Sequence, residues 1–295
     1  MNRHAPALAV LSAAVLWSLI SIFVRGLSAQ GFDSMQIVAG RCLFSALLTF
    51  LFLFFKDRRL LRVRPKDLWL FAGTGLMSMV FFNWCYFTTI RAAGAGIAVV
   101  LLYTSPIWVM LFSALFFKEK IGPAKLLALL CTFAGCVLVA GYTGGQSLAP
   151  GGILIGICSG IGYALYSIFG QAALGRGYHT LTVTAYTFFF AAAGCLLLTS
   201  PLQLVRLCAQ PLALGEVLGN TLICSILPYL LYTWGLARME AGRAAILATA
   251  EPLSATLIGI FLWGEPLTLA KCAGVALIFA AVALLNHRRE PAPAH

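Results

Sequence analysis

Charge is what this 295-residue chain has least of. Only 10% of its residues are Asp, Glu, Lys or Arg, and it carries nine acids and four histidines against 61% apolar residues. A water-soluble domain has about 25% charged and 45–50% apolar residues, and no fold of this size has an interior that hides such an excess. The class implied is an all-α polytopic membrane protein. The other absences narrow function. There is no G-x-x-x-x-G-K-[ST] phosphate loop, so nothing supports ATP-driven transport. There is no C-x-x-C either, and the nine cysteines fall almost entirely inside apolar runs, where a thiol is a small polarisable packing group. Neither a metal nor a cofactor is expected. A membrane-embedded enzyme, the rival from another class, needs clustered His, Asp or nucleophile–base sets, and so few polar residues supply none.

What charge there is has a pattern. The net charge of +11 sits mostly in connectors, as in Lys56-Asp57-Arg58-Arg59 and Arg62-Val63-Arg64-Pro65-Lys66. That placement is an orientation signal and not a nucleic-acid surface. With a cytoplasmic amino terminus, fifteen Lys and Arg fall inside, among them Arg3, Arg288 and Arg289. Arg25, Arg91, Arg206 and Lys271 fall outside, and Arg41 lies within a span. Both termini are therefore expected in the cytoplasm, with the chain in the cell inner membrane. The first apolar run is long, and Leu27-Ser28-Ala29 lacks the small residue of a cleavage site, so it reads as an uncleaved anchor.

Ten segments of spanning length can be drawn, at about 7–25, 34–55, 67–88, 94–114, 123–141, 151–171, 180–200, 213–235, 243–262 and 268–286. Pro201, Pro211 and Pro228 crowd the seventh and eighth. Gly144-Gly145-Gln146 marks a turn near the middle of the chain. The chain also contains itself twice. Pro106 recurs as Pro252 and Glu119 as Glu265, and 252 − 106 and 265 − 119 both give 146. The same offset pairs Ser21-Ile22-Phe23 with Ser167-Ile168-Phe169, Tyr86 with Tyr232, and Lys125 with Lys271. Residues 1–146 and 147–295 read as two repeats of five spans. Five is odd, so the second repeat is inverted relative to the first. Inverted repeats exchange conformations about a midplane site formed at interrupted helices, which is the basis of alternating access. Pro106 and Pro252 are the candidate hinges.

Two charges are not repeated: Arg41 pairs with Thr187, and Glu251 with Ser105. A charge in the bilayer interior costs roughly 2.5–3.5 kcal/mol on insertion scales, so each marks function or a structural pair. Their backbone depths differ by about 8 Å at 1.5 Å per residue, within reach of an arginine side chain. Trp17 and its mate Tyr163, with Asn83, Trp84, Tyr103 and Tyr229, are candidates to line a solute site beside Arg41 and Glu251. Tyr166 and Gln171 are further candidates. Gly152, Gly156 and Gly160 suit close helix approach, Glu119 and Glu265 suit capping or hinge roles, and His179 reads as a loop residue.

At Pro106…Glu119 and Glu251-Pro252…Glu265 the chain resembles the drug/metabolite transporter superfamily, specifically its ten-span EamA-type families, over its whole length. The resemblance implies a secondary transporter, most often an exporter, of a small organic solute such as an amino acid or metabolite. The centre of the first helix carries Trp17 and Ser18, so the proton-linked first-helix glutamate of the small multidrug relatives is not carried over. The expected partners are a small-molecule solute, the lipid bilayer and a coupling proton, with no nucleic acid, in a monomer or homodimer. A non-transporting membrane sensor or scaffold of the same fold is the alternative.

Overall fold

The computed structural model describes residues 4–140 and 150–287. Arg3, Arg288, Arg289, the Gly144-Gly145-Gln146 turn and the 146/147 repeat boundary lie outside the described residues. Eight helices are long and apolar enough to cross a membrane: α1 Ala5–Ala29, α2 Ser34–Lys56, α3 Pro65–Ala93, α4 Ala95–Phe117, α6 Gly151–Gly175, α7 Thr180–Leu198, α8 Pro211–Leu236 and α9 Ala241–Trp263. Two shorter apolar helices complete the set, α5 Pro123–Val139 and α10 Leu269–Leu285. Among the described residues there is no strand. This is what lipid demands, because a helix satisfies its backbone polar groups internally. Each segment drawn from the sequence falls on one of these helices. Pro211 opens α8, and Pro201 opens a separate short helix, Pro201–Cys208.

The packing follows the duplication. α2 packs on α7, α4 on α9 and α5 on α10; α1 packs on α8 and α9 as α6 packs on α3 and α4. Shifting by 146 residues turns each pairing into itself or into another of the set. Lipid tails give helices no hydrophobic reason to associate, so close backbone approach at small residues has to hold the bundle. Gly135 and Gly274 meet in this way. A Cβ built on either would lie 2.8 or 2.7 Å from the other's carbonyl oxygen. The outer faces carry exposed apolar side chains such as Leu47, Phe55, Leu130, Leu197 and Phe279, as a lipid-facing perimeter requires.

Polar contacts define two ends. At the basic end, Asp67 pairs with Arg176 and accepts from Tyr178 Oη at 2.7 Å, while Lys125 pairs with Glu240. Also there, Thr182 Oγ1 donates to Leu60 O at 2.8 Å. At the opposite end, Gln30 Nε2 donates to Glu216 Oε2 at 3.0 Å, and the Arg25 guanidinium lies 4.1 Å over the Trp263 ring.

Between the ends, the helices are interrupted at equivalent places. α4 breaks at Tyr103 and Thr104, and α9 breaks at Thr249. Pro106 and Pro252 sit in the first turns of the second halves, Ser105–Phe117 and Ala250–Trp263. A proline there forfeits no helical bond, because those N–H groups have no partner within their own helix. Thr104 Oγ1 donates to the Leu101 carbonyl at 2.6 Å, and Thr249 Oγ1 to that of Ile246, each beside a backbone N–H to the same oxygen. α3 and α8 each contain a π-helical stretch, Gly73–Phe81 and Leu222–Ile226, and the second corresponds to residues 76–80 of the first.

Both second halves end on a left-handed residue, Lys118 (φ 55°) in α4 and its mate Gly264 (φ 65°) in α9. A side chain in this conformation costs about 1–2 kcal/mol. Lys118→Gly should therefore raise apparent melting of the detergent-purified protein by a few degrees, roughly 2–4 °C per kcal/mol. A fall in melting temperature would mean that Lys118 is held there by contacts worth more than its strain.

Candidate functional site

Where these interruptions meet, a cavity of about 510 Å3 runs from the middle of the bundle to the end opposite the basic one. Val24, Ser34, Ile90 and Arg91 line its mouth. Its floor is aromatic. Trp17 packs 5.3 Å from Tyr229, Phe82 lies 5.2 Å from Tyr163, and Tyr166 lies 5.0 Å from Tyr229. Hydroxyl pairs brace the layer beneath, Tyr166 with Thr233 at 2.6 Å and Ser167 with Tyr232 at 2.7 Å. Trp17, Phe82, Tyr163 and Tyr229 also line a second space on the basic side, of only about 30 Å3.

The two unrepeated charges face the larger cavity from different repeats. Arg41, on α2, is 5% exposed, and its Nε is buried without a hydrogen-bond partner among the described residues. Glu251 is half-buried in the first turn after the α9 break, and Tyr163 Oη donates to its Oε2 at 3.2 Å. Among the described residues no ion pair joins Arg41 to Glu251. A buried guanidinium nitrogen without a partner is costly, and its presence at a cavity wall leaves it available to an anionic group. Asn83 follows the π-helical stretch of α3, and its Nδ2 takes the carbonyl of Met79 at 2.7 Å. Tyr103 comes from the α4 break.

Of the eight sequence candidates, Trp17, Arg41, Asn83, Tyr103, Tyr163, Tyr229 and Glu251 line this one cavity. Trp84 does not. One residue beyond Asn83, its side chain turns about 100° around the helix, and it is 45% exposed on the outside. Tyr166 lies in the floor, and Gln171 lies lower, donating to Glu119 Oε1 at 3.3 Å. Sequence reasoning passed over Ser21, Phe82 and Tyr86 as lining residues. The repeat register held the missing signal, because Ser21 is the mate of Ser167 and Tyr86 of Tyr232, both in the floor layer.

The two spaces are related by the same shift. Trp17, Ser105, Tyr163, Tyr166, Ser167, Tyr229, Tyr232, Ala245 and Ala248 line the narrow space. Their mates, in the same order, are Tyr163, Glu251, Trp17, Ile20, Ser21, Asn83, Tyr86, Val99 and Leu102, and all of them line the wide cavity. Nine of the twelve residues around the narrow space thus have mates around the wide one, and Ser78, Phe82 and Val109 do not.

The family model of the EamA-like transporter family matches this chain twice, over residues 4–141 and 150–287. Since 150 − 4 and 287 − 141 both give 146, the two matches keep the internal register. An uncharacterized transporter of Archaeoglobus fulgidus is 32% identical over 284 residues, covering 95% of each chain. The uncharacterized inner membrane transporter YicL of Salmonella typhimurium is 26% identical over 293 residues, covering 94% of this chain and 93% of that one. A solved crystal structure superposes with a TM-score of 0.79 at 22% identity, covering 96% of both chains, which shows the shared fold. With apolar helices in number, a repeated architecture and relatives of this kind, the chain is a multi-pass membrane protein that belongs to the EamA-like transporter family.

Proposed function

We propose that this chain is a secondary transporter that carries a small organic solute across the cytoplasmic membrane by alternating access. All ten helices span, α5 and α10 at about 25 Å each in a locally thinned bilayer, as two inverted five-helix repeats, residues 1–146 and 147–295. The observation that carries the reading is the mirror relation between the open cavity and the collapsed space. A pseudo-symmetric scaffold caught with one half open and the other closed has its alternate state built in. The basic end faces the cytoplasm, so the structure is open to the outside, and both termini are inside. Reporter fusions after Lys66 and after Ser147 should then read inside and outside respectively, and the reverse pattern would overturn the orientation.

The cavity's chemistry suits a zwitterion. Arg41 offers donors to a carboxylate, Glu251 an acceptor to an ammonium, and Trp17, Tyr103 and Tyr229 offer ring faces and edges to the rest of the solute. In the return step a proton on Glu251 replaces the ammonium, which couples transport to the proton gradient. The test is flux. Purified protein in proteoliposomes, offered a panel of labelled amino acids and amines under an imposed pH gradient, should move a zwitterion. Binding without movement of any member would favour the sensor alternative.

A further inference from the structure

We propose that Glu119 and Glu265 are reciprocal gate residues, each capping the broken helix of the other repeat in the access state where its own end of the molecule is closed. This rests on the alternating-access reading. In the present structure the Glu119 carboxylate sits on the first half of α9. Ala241 N donates to Oε1 at 2.8 Å, Gly242 N to Oε2 at 3.3 Å, and Gln171 Nε2 to Oε1 at 3.3 Å. The residue before this helix, Glu240, gives no side-chain cap of its own. Glu119 therefore satisfies two orphan N–H groups of a helix end and places its charge at the positive end of the helix dipole. It does so at the basic end, the side on which the central space is only about 30 Å3.

The duplicated position behaves differently. Glu265 follows a left-handed residue as Glu119 does, and its N–H reaches Gly259 O at 3.1 Å, as that of Glu119 reaches the mate, Ser113 O, at 3.3 Å. The backbone is thus set identically. Yet the Glu265 side chain is 43% exposed and pairs with Lys271 at 2.8 Å. Among the described residues no side chain caps the helix end that symmetry assigns to it, Ala95–Gly96 at the start of α4. The mate of Gln171 is Arg25, which now lies over Trp263, two residues before Glu265. When the open end closes, Glu265 leaves Lys271 to cap Ala95 and Gly96, and Arg25 takes the role that Gln171 plays for Glu119. Opening of the basic end requires Glu119 to let go of α9. The two caps are then exclusive, and each state keeps one of them.

The test reads the balance of states in a cysteine-free background reconstituted in vesicles. It compares labelling of Val99→Cys by an impermeant maleimide from the cavity side with labelling of its mate, Ala245→Cys, from the basic side. Glu119→Ala should lower the ratio of the two rates, and Glu265→Ala should raise it, each by about three- to tenfold, the effect of a lost cap. Gln171→Ala and Arg25→Ala should follow in the same opposite directions, and they supply the test if an acid variant fails to fold. Glu→Gln, which keeps one acceptor, should shift the ratio less. If both acid variants move the ratio the same way, or neither moves it, the gate assignment is overturned. If the opposite shifts appear while the unaltered protein moves no solute, the gates stand and the transporter reading falls.

Discussion

Glu251→Gln and Arg41→Met should each abolish solute flux while leaving folded protein in the membrane. The separation of the two charges makes this outcome specific. If they formed a buried pair, removing one partner would strand the other, at a cost of roughly 3–5 kcal/mol, and the protein would be lost. They share a cavity without bridging, and the Arg41 Nε already lacks a partner, so either substitution leaves no newly orphaned charge in the resting structure. The solute loses a charged partner instead. Such a loss costs about 2–5 kcal/mol, or at least a thirtyfold fall in affinity. Yield of monodisperse protein and flux into proteoliposomes, measured side by side, read the two effects separately. Collapse of the yield in both single variants, with recovery in the Arg41→Met/Glu251→Leu double variant and flux intact, would mean that the charges serve only each other.

Gly160→Ala should damage both the bundle and its function. A Cβ there would lie 2.5 Å from Thr104 Oγ1 and 2.7 Å from the Leu101 carbonyl. Neither atom can yield cheaply. The Thr104 hydroxyl holds that same carbonyl across the α4 break and accepts from Trp108 Nε1 at 3.3 Å. The added methyl must push α4 off α6 at its interruption. Overpacking of this kind costs about 1–3 kcal/mol, which for a chain of this length is roughly 2–12 °C of apparent melting. The break also sets the position of Tyr103, so flux should fall more than stability does. The mate position already holds Ala14, fully buried, so the other half of the scaffold accepts a methyl where this one does not. Unchanged melting and flux would show that α6 and α4 are not pressed together here.

Much of this architecture was written in the sequence, because lipid leaves few choices. Runs of apolar residues mark helices with little ambiguity, and the shared offset of Pro106, Pro252, Glu119 and Glu265 reveals the repeat without any structure. The unrepeated charges and the paired aromatics pointed to one cavity for the same reason, since a costly or bulky polar residue at mid-span needs a wet or polar place. Trp84 escaped the reading because adjacent residues on a helix face different ways, and only the helix rotation says which of Asn83 and Trp84 turns inward. The π-helical stretches left no mark in composition. A π-bulge comes from one extra residue accommodated within a turn, and Gly73–Phe81 looks like any other apolar helix. The different settings of Glu119 and Glu265 were also illegible, because two identical backbone contexts hold side chains in opposite states. Their neighbours differ too: Lys125 pairs with Glu240, whereas its mate Lys271 has Gly94 at the matching position and pairs with Glu265.

Alternating access requires the open cavity and the narrow space to exchange. Ser34 and Arg91 both line the open cavity, and their mates Thr180 and Ala237 both line a pocket at the basic end. Spin-label distances for the 34–91 pair and the 180–237 pair, taken in lipid nanodiscs with and without transported solute, read both ends in one experiment. Exchange predicts that the first distance shortens in the same population in which the second lengthens. Both distances changing in the same sense, or neither changing while solute crosses, would contradict it.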